Sequence, residues 1–319
     1  DAYQRAPDSV TTFVAALVST AGAYALIRVT YTVFTVEFLL ANDAITTVLL
    51  VVSGVSILAG SVLAVMQSDL KRMFAYSSVA QFGMIAAAVA LANETALLGG
   101  IVHLLGHGLL KFGLFLAAGL LALGYGARRV EDLASLARRA PYTAGSLAVL
   151  GLALVGIPPS IGFLGKWYIA FGAVQESGAG GGAVGIWIAA VIFISTLFTL
   201  AYVARLIEQL YFAGVGLDDG HDEVDTGGHD AGGAADGHDD GVVADGGHPG
   251  SDTGGPTDSE PDAPTGPEPD APTTLGVPDR VPTGAFLVLL CATAVAVALG
   301  FAGATFADLF DPFLSEVFA

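Results

Sequence analysis

The chain has 319 residues, a formal net charge of −18 at pH 7, 54% hydrophobic residues and a mean hydropathy of +0.68. That hydropathy, carried by several apolar runs longer than the roughly 18 residues that suggest a bilayer span, excludes an ordinary soluble domain and indicates a polytopic membrane protein. The charge is local: residues 215–279 hold 17 of the 30 acidic residues and no Lys or Arg, and nowhere is there the basic face that nucleic-acid binding needs.

Seven apolar segments are predicted as membrane helices, at about 10–33, 43–66, 73–93, 97–124, 142–174, 183–213 and 282–306, because a backbone facing lipid must satisfy its own polar groups. The expected fold is therefore all-α, a polytopic bundle of about seven transmembrane helices. Residues 1–214 form the transmembrane core, 215–281 an acidic Gly/Asp/His/Pro-rich loop without fixed structure, and 282–319 the last helix and a C-terminal tail. The chain starts at Asp1 with no methionine or cleavable leader, so a piece of a longer protein is expected.

Between the second and third segments, SDLKRMFAYSS carries Asp69, Lys71, Ser77 and Ser78. Lys71, beside Asp69 and Arg72, reads as a structural or topogenic charge as readily as a functional one. Ser77, Ser78, Tyr76 and Gln81 can hold water or join helices by hydrogen bonds. The fourth segment contains HLLGHGLLK, which sets His103, His107 and Lys111 four residues apart, on one helix stripe over about 12 Å of rise. Imidazole titrates near neutrality and a desolvated lysine can lose its proton, so the stripe suits a proton relay better than packing alone. Lys111 lies about mid-span, too deep for its head to snorkel to the headgroups.

In the fifth segment, GIPPSIGFLGKWY joins Pro158 and Pro159 to Lys166. Two adjacent prolines remove two backbone donors and break the helix, and broken helices at membrane depth often line ion sites. Lys166 is read as functional, with snorkelling as its plain alternative. Within the acidic segment, His221, His229, His238 and His248 are too loosely spaced for a specific metal site and read as part of a solvated tail. Heavy Asp use, with three Lys against nine Arg, suits the salty cytoplasm of a halophile. Cys291 stands alone, which excludes an intrachain disulfide or a cysteine-ligated cluster. Alternating the segments places Arg5, Lys71, Arg72, Arg128, Arg129, Arg138 and Arg139 on one face, cytoplasmic by the positive-inside rule, and the acidic segment with them.

DAYQRAP leading into a helix that ends GAYALIR, then DLKRMFAYSSVAQFG, HLLGHGLLKFGLFLAAG and GIPPSIGFLGKWY, occur in an order and spacing that resembles the antiporter-like subunits shared by Mrp-type cation/proton antiporters and respiratory complex I, the NADH-quinone oxidoreductase. The resemblance covers nearly all of residues 1–214 and the last helix, and GFLGKWY is most similar to the antiporter D subunit. It implies the second half of a fourteen-helix subunit built from two inverted five-helix repeats, each with a broken helix. It further implies that Lys111 is the central lysine, His103 and His107 its relay and Lys166 the terminal group. Thr20 stands where some members carry a lysine, and the first repeat lies outside these residues.

Residues and resemblance together indicate a multi-pass subunit of the cell membrane, with the bilayer and other membrane subunits as partners. It moves protons along a buried Lys/His axis in exchange for sodium within an Mrp-type antiporter, with no catalytic residue, metal or cofactor of its own. The alternatives are a proton-pumping subunit of an NADH-quinone oxidoreductase, which would make the chain part of an enzyme, and an inactive structural fragment.

Overall fold

Asp69 and Asn93 set the starts of the two helices that matter most. Their side chains accept hydrogen bonds from the backbone N–H groups of Arg72 and Ala96, at 2.9 and 2.8 Å, and so cap helices that begin three residues before the apolar runs do. In this computed structural model, which describes residues 6–176, 183–213 and 281–319, the elements are α1 (Asp8–Ala41), α2 (Asp43–Val65), α3 (Leu70–Ala90), α4 (Glu94–Tyr125), α5 (Pro141–Val155), α6 (Ile161–Glu176), α7 (Ala183–Tyr211), α8 (Thr283–Phe301) and α9 (Gly303–Phe318). Among the described residues six of these helices are long and apolar enough to cross a membrane, and α5 and α6 lie on either side of the two prolines. The protein is a helical, multi-pass membrane protein, as its composition indicates.

Two boundaries differ from the sequence pattern. The first helix runs on to Ala41 rather than ending near 33, through π turns at Val14–Val18 and Thr30–Phe34 and a bend at Thr35, whose φ is 67°. Beyond α8 the expected tail is instead the helix α9. It buries Phe306 and Leu314, eight residues apart on one face, and sets Phe318 against Tyr31 at 6.0 Å between ring centroids. Of the acidic loop, residues 215–280 and their four histidines lie outside the described residues, as does Arg5.

α4 is the centre of the bundle. Its most apolar stretch is 72% buried and that of α3 67%, against 22–39% for α1, α2, α7 and α8, so those four present their apolar faces outward, as lipid-facing helices do. α4 touches α6, α3, α5, α8 and α1. Glycine makes the α4–α6 approach possible: a Cβ on Gly99 would come within 2.5 Å of the Ile169 nitrogen, and one on Gly165 within 2.6 Å of the His103 Cα. This is the close backbone packing that small residues allow where lipid supplies no hydrophobic drive.

The helix break is as the prolines require. α5 ends on Gly156 at φ 95°, Pro158–Pro159 is a cis peptide bond, and α6 restarts at Ile161. The end of α8 plugs the break, since a Cβ on Gly300 would lie 2.4 Å from the Ser160 nitrogen. At one end of the bundle the turn after α2 pairs with the loop after α4, through Leu70 N–H to Arg128 O at 3.0 Å and Val130 N–H to Ser68 O at 2.8 Å. Asp132 caps that loop by accepting from the backbone N–H groups of Arg129 and Arg128, which hold its carboxyl below the usual aspartate range. Arg72, Arg128 and Arg129 mark this arginine-bearing end, around a cavity of about 530 Å³.

Gly165→Val is expected to force α6 off α4 at His103 and to cost about 1–3 kcal/mol or more. Gly22→Ala, where nothing lies within 4 Å of the new carbon, is expected to be tolerated. Thermal denaturation of the two variants in detergent, side by side, checks the contrast.

Candidate functional site

Interior faces of α3, α4 and the broken helix bring the titratable groups together. On α4, His103, His107 and Lys111 are all buried, with Lys111 at 0% exposure, so the stripe read from spacing is a real interior face. Facing it, α3 presents Phe74, Ser77 and Gln81, which repeat at helical spacing. The Lys111 ammonium donates to the Phe74 carbonyl at 2.8 Å and to the Ser77 hydroxyl, and it lies 5.8 Å from the centre of the Phe74 ring. His103 Nε2 is 2.8 Å from Gln81 Oε1, and with the amide oxygen facing the ring it is the donor. His107 lies edge-on to Phe82 at 4.7 Å. Neither of its ring nitrogens, nor His103 Nδ1, has a hydrogen-bond partner among the described residues.

Lys166 enters from α6, and the break is what holds it. Where a helix stops, its last carbonyls lose their intrahelical partners. Lys166 Nζ donates to two of them, Leu154 O at 2.8 Å and Val155 O at 3.0 Å, at the negative end of the α5 dipole. The side chain leans back towards the start of α6, as side chains on a helix do, and so reaches across the gap. Lys166 lies near enough to bear electrostatically on both His103 and Lys111, and Lys111 on His107. The four groups therefore share one field, with no carboxylate bonded to either lysine among the described residues.

The remaining candidates fall elsewhere. Lys71 forms an ion pair with Asp8 and also donates to Ala6 O at 3.3 Å, so it ties α1 to α3 at the arginine-bearing end. Asp69 is the cap of α3. Ser78 donates to Phe74 O at 3.1 Å and stands beside the stripe rather than on it. Thr20 donates to Ala16 O at 2.6 Å, and it faces α4 at Gly108, where an added Cβ would lie 3.3 Å from its hydroxyl. Thr20 thus meets α4 at Gly108, beside the stripe rather than on it, next to the first π turn of α1. Pro158 and Pro159 lie in the break itself. Sequence reading missed the Phe74, Leu154 and Val155 carbonyls, because a main-chain acceptor leaves no mark in side-chain pattern. It also missed Tyr202 of α7, a buried hydroxyl whose signal was its spacing from Ser195 and Thr199.

Residues 1–199 match the family described as NADH:quinone oxidoreductase/Mrp antiporter, transmembrane. Among curated proteins the chain is similar to NADH-quinone oxidoreductase subunit N of Desulforudis audaxviator, with 39% identity over 216 residues, covering 67% of this chain and 41% of that protein. It is also similar to F(420)H(2) dehydrogenase subunit N of Methanosarcina mazei, with 32% identity over 225 residues, covering 66% of this chain and 43% of that one. The chain thus spans less than half the length of these relatives. Among solved structures, a chain of the Mrp complex from a Dietzia species superposes with TM-score 0.64 at 26% identity, over 98% of this chain and 56% of its own length. A chain of the membrane-bound sulfane sulfur reductase, an archaeal respiratory membrane complex, superposes with TM-score 0.70 at 24% identity, over 99% of this chain and 50% of its own; that likeness concerns the fold alone.

Gln81→Leu leaves His103 Nε2 without its partner and is expected to destabilise the protein by about 1–3 kcal/mol, the cost of orphaning a buried polar group. An unchanged melting temperature in detergent would show that the pair holds nothing.

Proposed function

We propose that this chain, which belongs to the NADH:quinone oxidoreductase/Mrp antiporter transmembrane family, moves protons through the membrane along His103, His107 and Lys111 of α4, with Lys166 as the group at the far side of the helix break. Membership of the family bears out the resemblance read from the four motifs. The observation that carries the proposal is Lys111: fully buried near the middle of the central helix, bonded to a neutral carbonyl and a hydroxyl. An ionisable group at that depth costs at least about 2.5–3.5 kcal/mol, and such groups are kept for transport far more often than for packing.

Chemically, the arrangement allows either protonation state. Neutral acceptors hold the ammonium without trapping it as an ion pair, and the lysine can give up its proton without stranding a buried carboxylate. The ring nitrogens that find no partner among the described residues are suited to transient bonds with water, since buried polar atoms are paired by protein or by water. Charge on Lys111 and charge on Lys166 repel in this low-dielectric interior, so a proton arriving at one favours departure from the other. In the cell membrane the arginine-bearing end would face the cytoplasm under the positive-inside rule. The partners would be the further membrane subunits of a larger complex.

Two driving reactions are proposed for that movement. Exchange against sodium follows from GFLGKWY, whose lysine suits the cation antiporter. Redox-driven pumping is the reading that the two subunit N relatives favour, since both are named for dehydrogenases or quinone oxidoreductases. In vesicles containing the complete complex, Lys111→Ala is expected to abolish proton movement under either drive, and wild-type rates in that variant would contradict the proposal. Applied in turn, a sodium gradient and a reduced donor with quinone separate the two: the driver that moves protons in the wild type is the coupled one.

A further inference from the structure

Beyond Lys111 the facing stripes of α3 and α4 run on towards the arginine-bearing end, and their character changes. On α4 the Lys111 stripe continues through Phe115 to Ala118 and Ala122, at helical spacing. On α3 it runs back from Phe74 to Lys71 and Leu70. A cavity of about 260 Å³ lies between these ends, lined by Ala118 and Ala122 together with Asp69, Lys71 and Arg128. It shares Asp69 and Arg128 with the larger cavity around the loop after α4, where Arg128 is exposed, and so adjoins the surface.

Close packing does not explain this space. Small residues on membrane helices ordinarily let neighbours touch, as Gly119 does, where an added Cβ would lie 3.0 Å from Asp8 Cβ. Ala118 and Ala122 instead face a void, and protein interiors keep few voids larger than a water molecule. A cavity of this size with three charged side chains in its wall holds water, since it is apolar cavities that stay dry.

The water stops at two rings. Phe74 and Phe115 are both buried and meet edge to face, with centroids 5.9 Å apart. Phe115 is one turn beyond Lys111 and one turn short of Ala118, so the pair stands between the ammonium and the cavity. An apolar constriction of this kind excludes water, and with it protons. The Phe74 ring also lies 5.8 Å from the Lys111 ammonium, an attraction that exists only while the lysine is charged.

We propose that this cavity is the hydrated mouth through which Lys111 exchanges protons with the arginine-bearing side, and that the Phe74 and Phe115 rings are the gate between them. This rests on the reading of Lys111 as a proton carrier and adds the side from which that lysine is served. With Lys111 charged, the Phe74 ring is held over the ammonium and the gate is shut. Once the proton has left along the axis that hold is gone, the rings part and water enters from the mouth. A hydronium then gives up its proton: one O–H bond breaks, one N–H bond forms at Nζ and a water molecule remains. The restored charge closes the gate, which keeps the loaded proton from returning.

Cysteine substitution reads the mouth without relying on transport. Cys291 is the one cysteine of the chain and is exposed, so a Cys291→Ser chain in the complete complex provides the background. In vesicles treated with a small water-soluble maleimide, Ala118→Cys is expected to be modified and Ala117→Cys, its fully buried neighbour outside the cavity, to be spared. Ala118→Cys left unmodified, or Ala117→Cys modified as readily, would overturn the mouth. Ala118→Leu fills the cavity and is expected to slow driven proton movement about tenfold, a change of about 1.4 kcal/mol in the barrier. Wild-type rates in Ala118→Leu, with Lys111→Ala inactive, would overturn the mouth and leave the axis standing; wild-type rates in both would overturn the axis itself. Should Ala118→Leu fail to assemble, the cysteine pair decides. Phe115→Ala opens the gate, and with no driver applied an imposed pH difference is expected to collapse about tenfold faster than in the wild type. Collapse at the wild-type rate would overturn the gate.

Discussion

Two ammonium groups stand inside an apolar bundle with main-chain carbonyls, not carboxylates, as their acceptors. Lys111 rests on Phe74 O, and Lys166 on Leu154 O and Val155 O. Neutral acceptors return only part of the hydration an ammonium loses in a low-dielectric interior, so the rest of the fold must bring such acceptors to hand. The two lysines meet this requirement differently. A continuous helix has no spare carbonyls, and α6 obtains them from the break that Pro158 and Pro159 impose on its predecessor. Lys111 instead shares a carbonyl of α3 that also accepts from Ser77 and Ser78.

Close helix approach follows from the same constraint. A lysine side chain reaches a neighbouring backbone only if the helices nearly touch, and the glycines of α4 and α6 permit that contact. Gly165 lies against the His103 backbone, one residue before Lys166, so one glycine sets the register of both His103 and Lys166. Gly300 does the same for the break by letting α8 reach the Ser160 backbone. The packing of the bundle and the placement of its buried lysines therefore depend on the same few positions.

Much of this was legible in the sequence, for reasons that can be traced to particular residues. The four-residue spacing of His103, His107 and Lys111 reports helix geometry directly, and the two prolines report a break. Lysine is so rare in this chain that each one draws attention, and two of the three, Lys111 and Lys166, are buried. Lys71, the third, was read with Asp69 and Arg72 because they are its neighbours in sequence; its partner in space is Asp8, some sixty residues away, while Asp69 caps a helix. What pairs across helices was not legible: the choice of Ser77 over Ser78 beside Lys111 depends on how α3 is rotated. The extension of α1 and the folding of α9 against Tyr31 were missed because helix limits near lipid are set by packing as much as by composition.

Lys111→Arg tests the central claim most directly. Arginine keeps the positive charge and the donors for Phe74 O and Ser77, but it does not release a proton in proteins. Proton movement by the assembled complex is the quantity to measure. If Lys111 carries the proton, the variant assembles and movement is lost; if Lys111 supplies only a fixed charge to the bundle, movement continues at the wild-type rate, and the account is wrong.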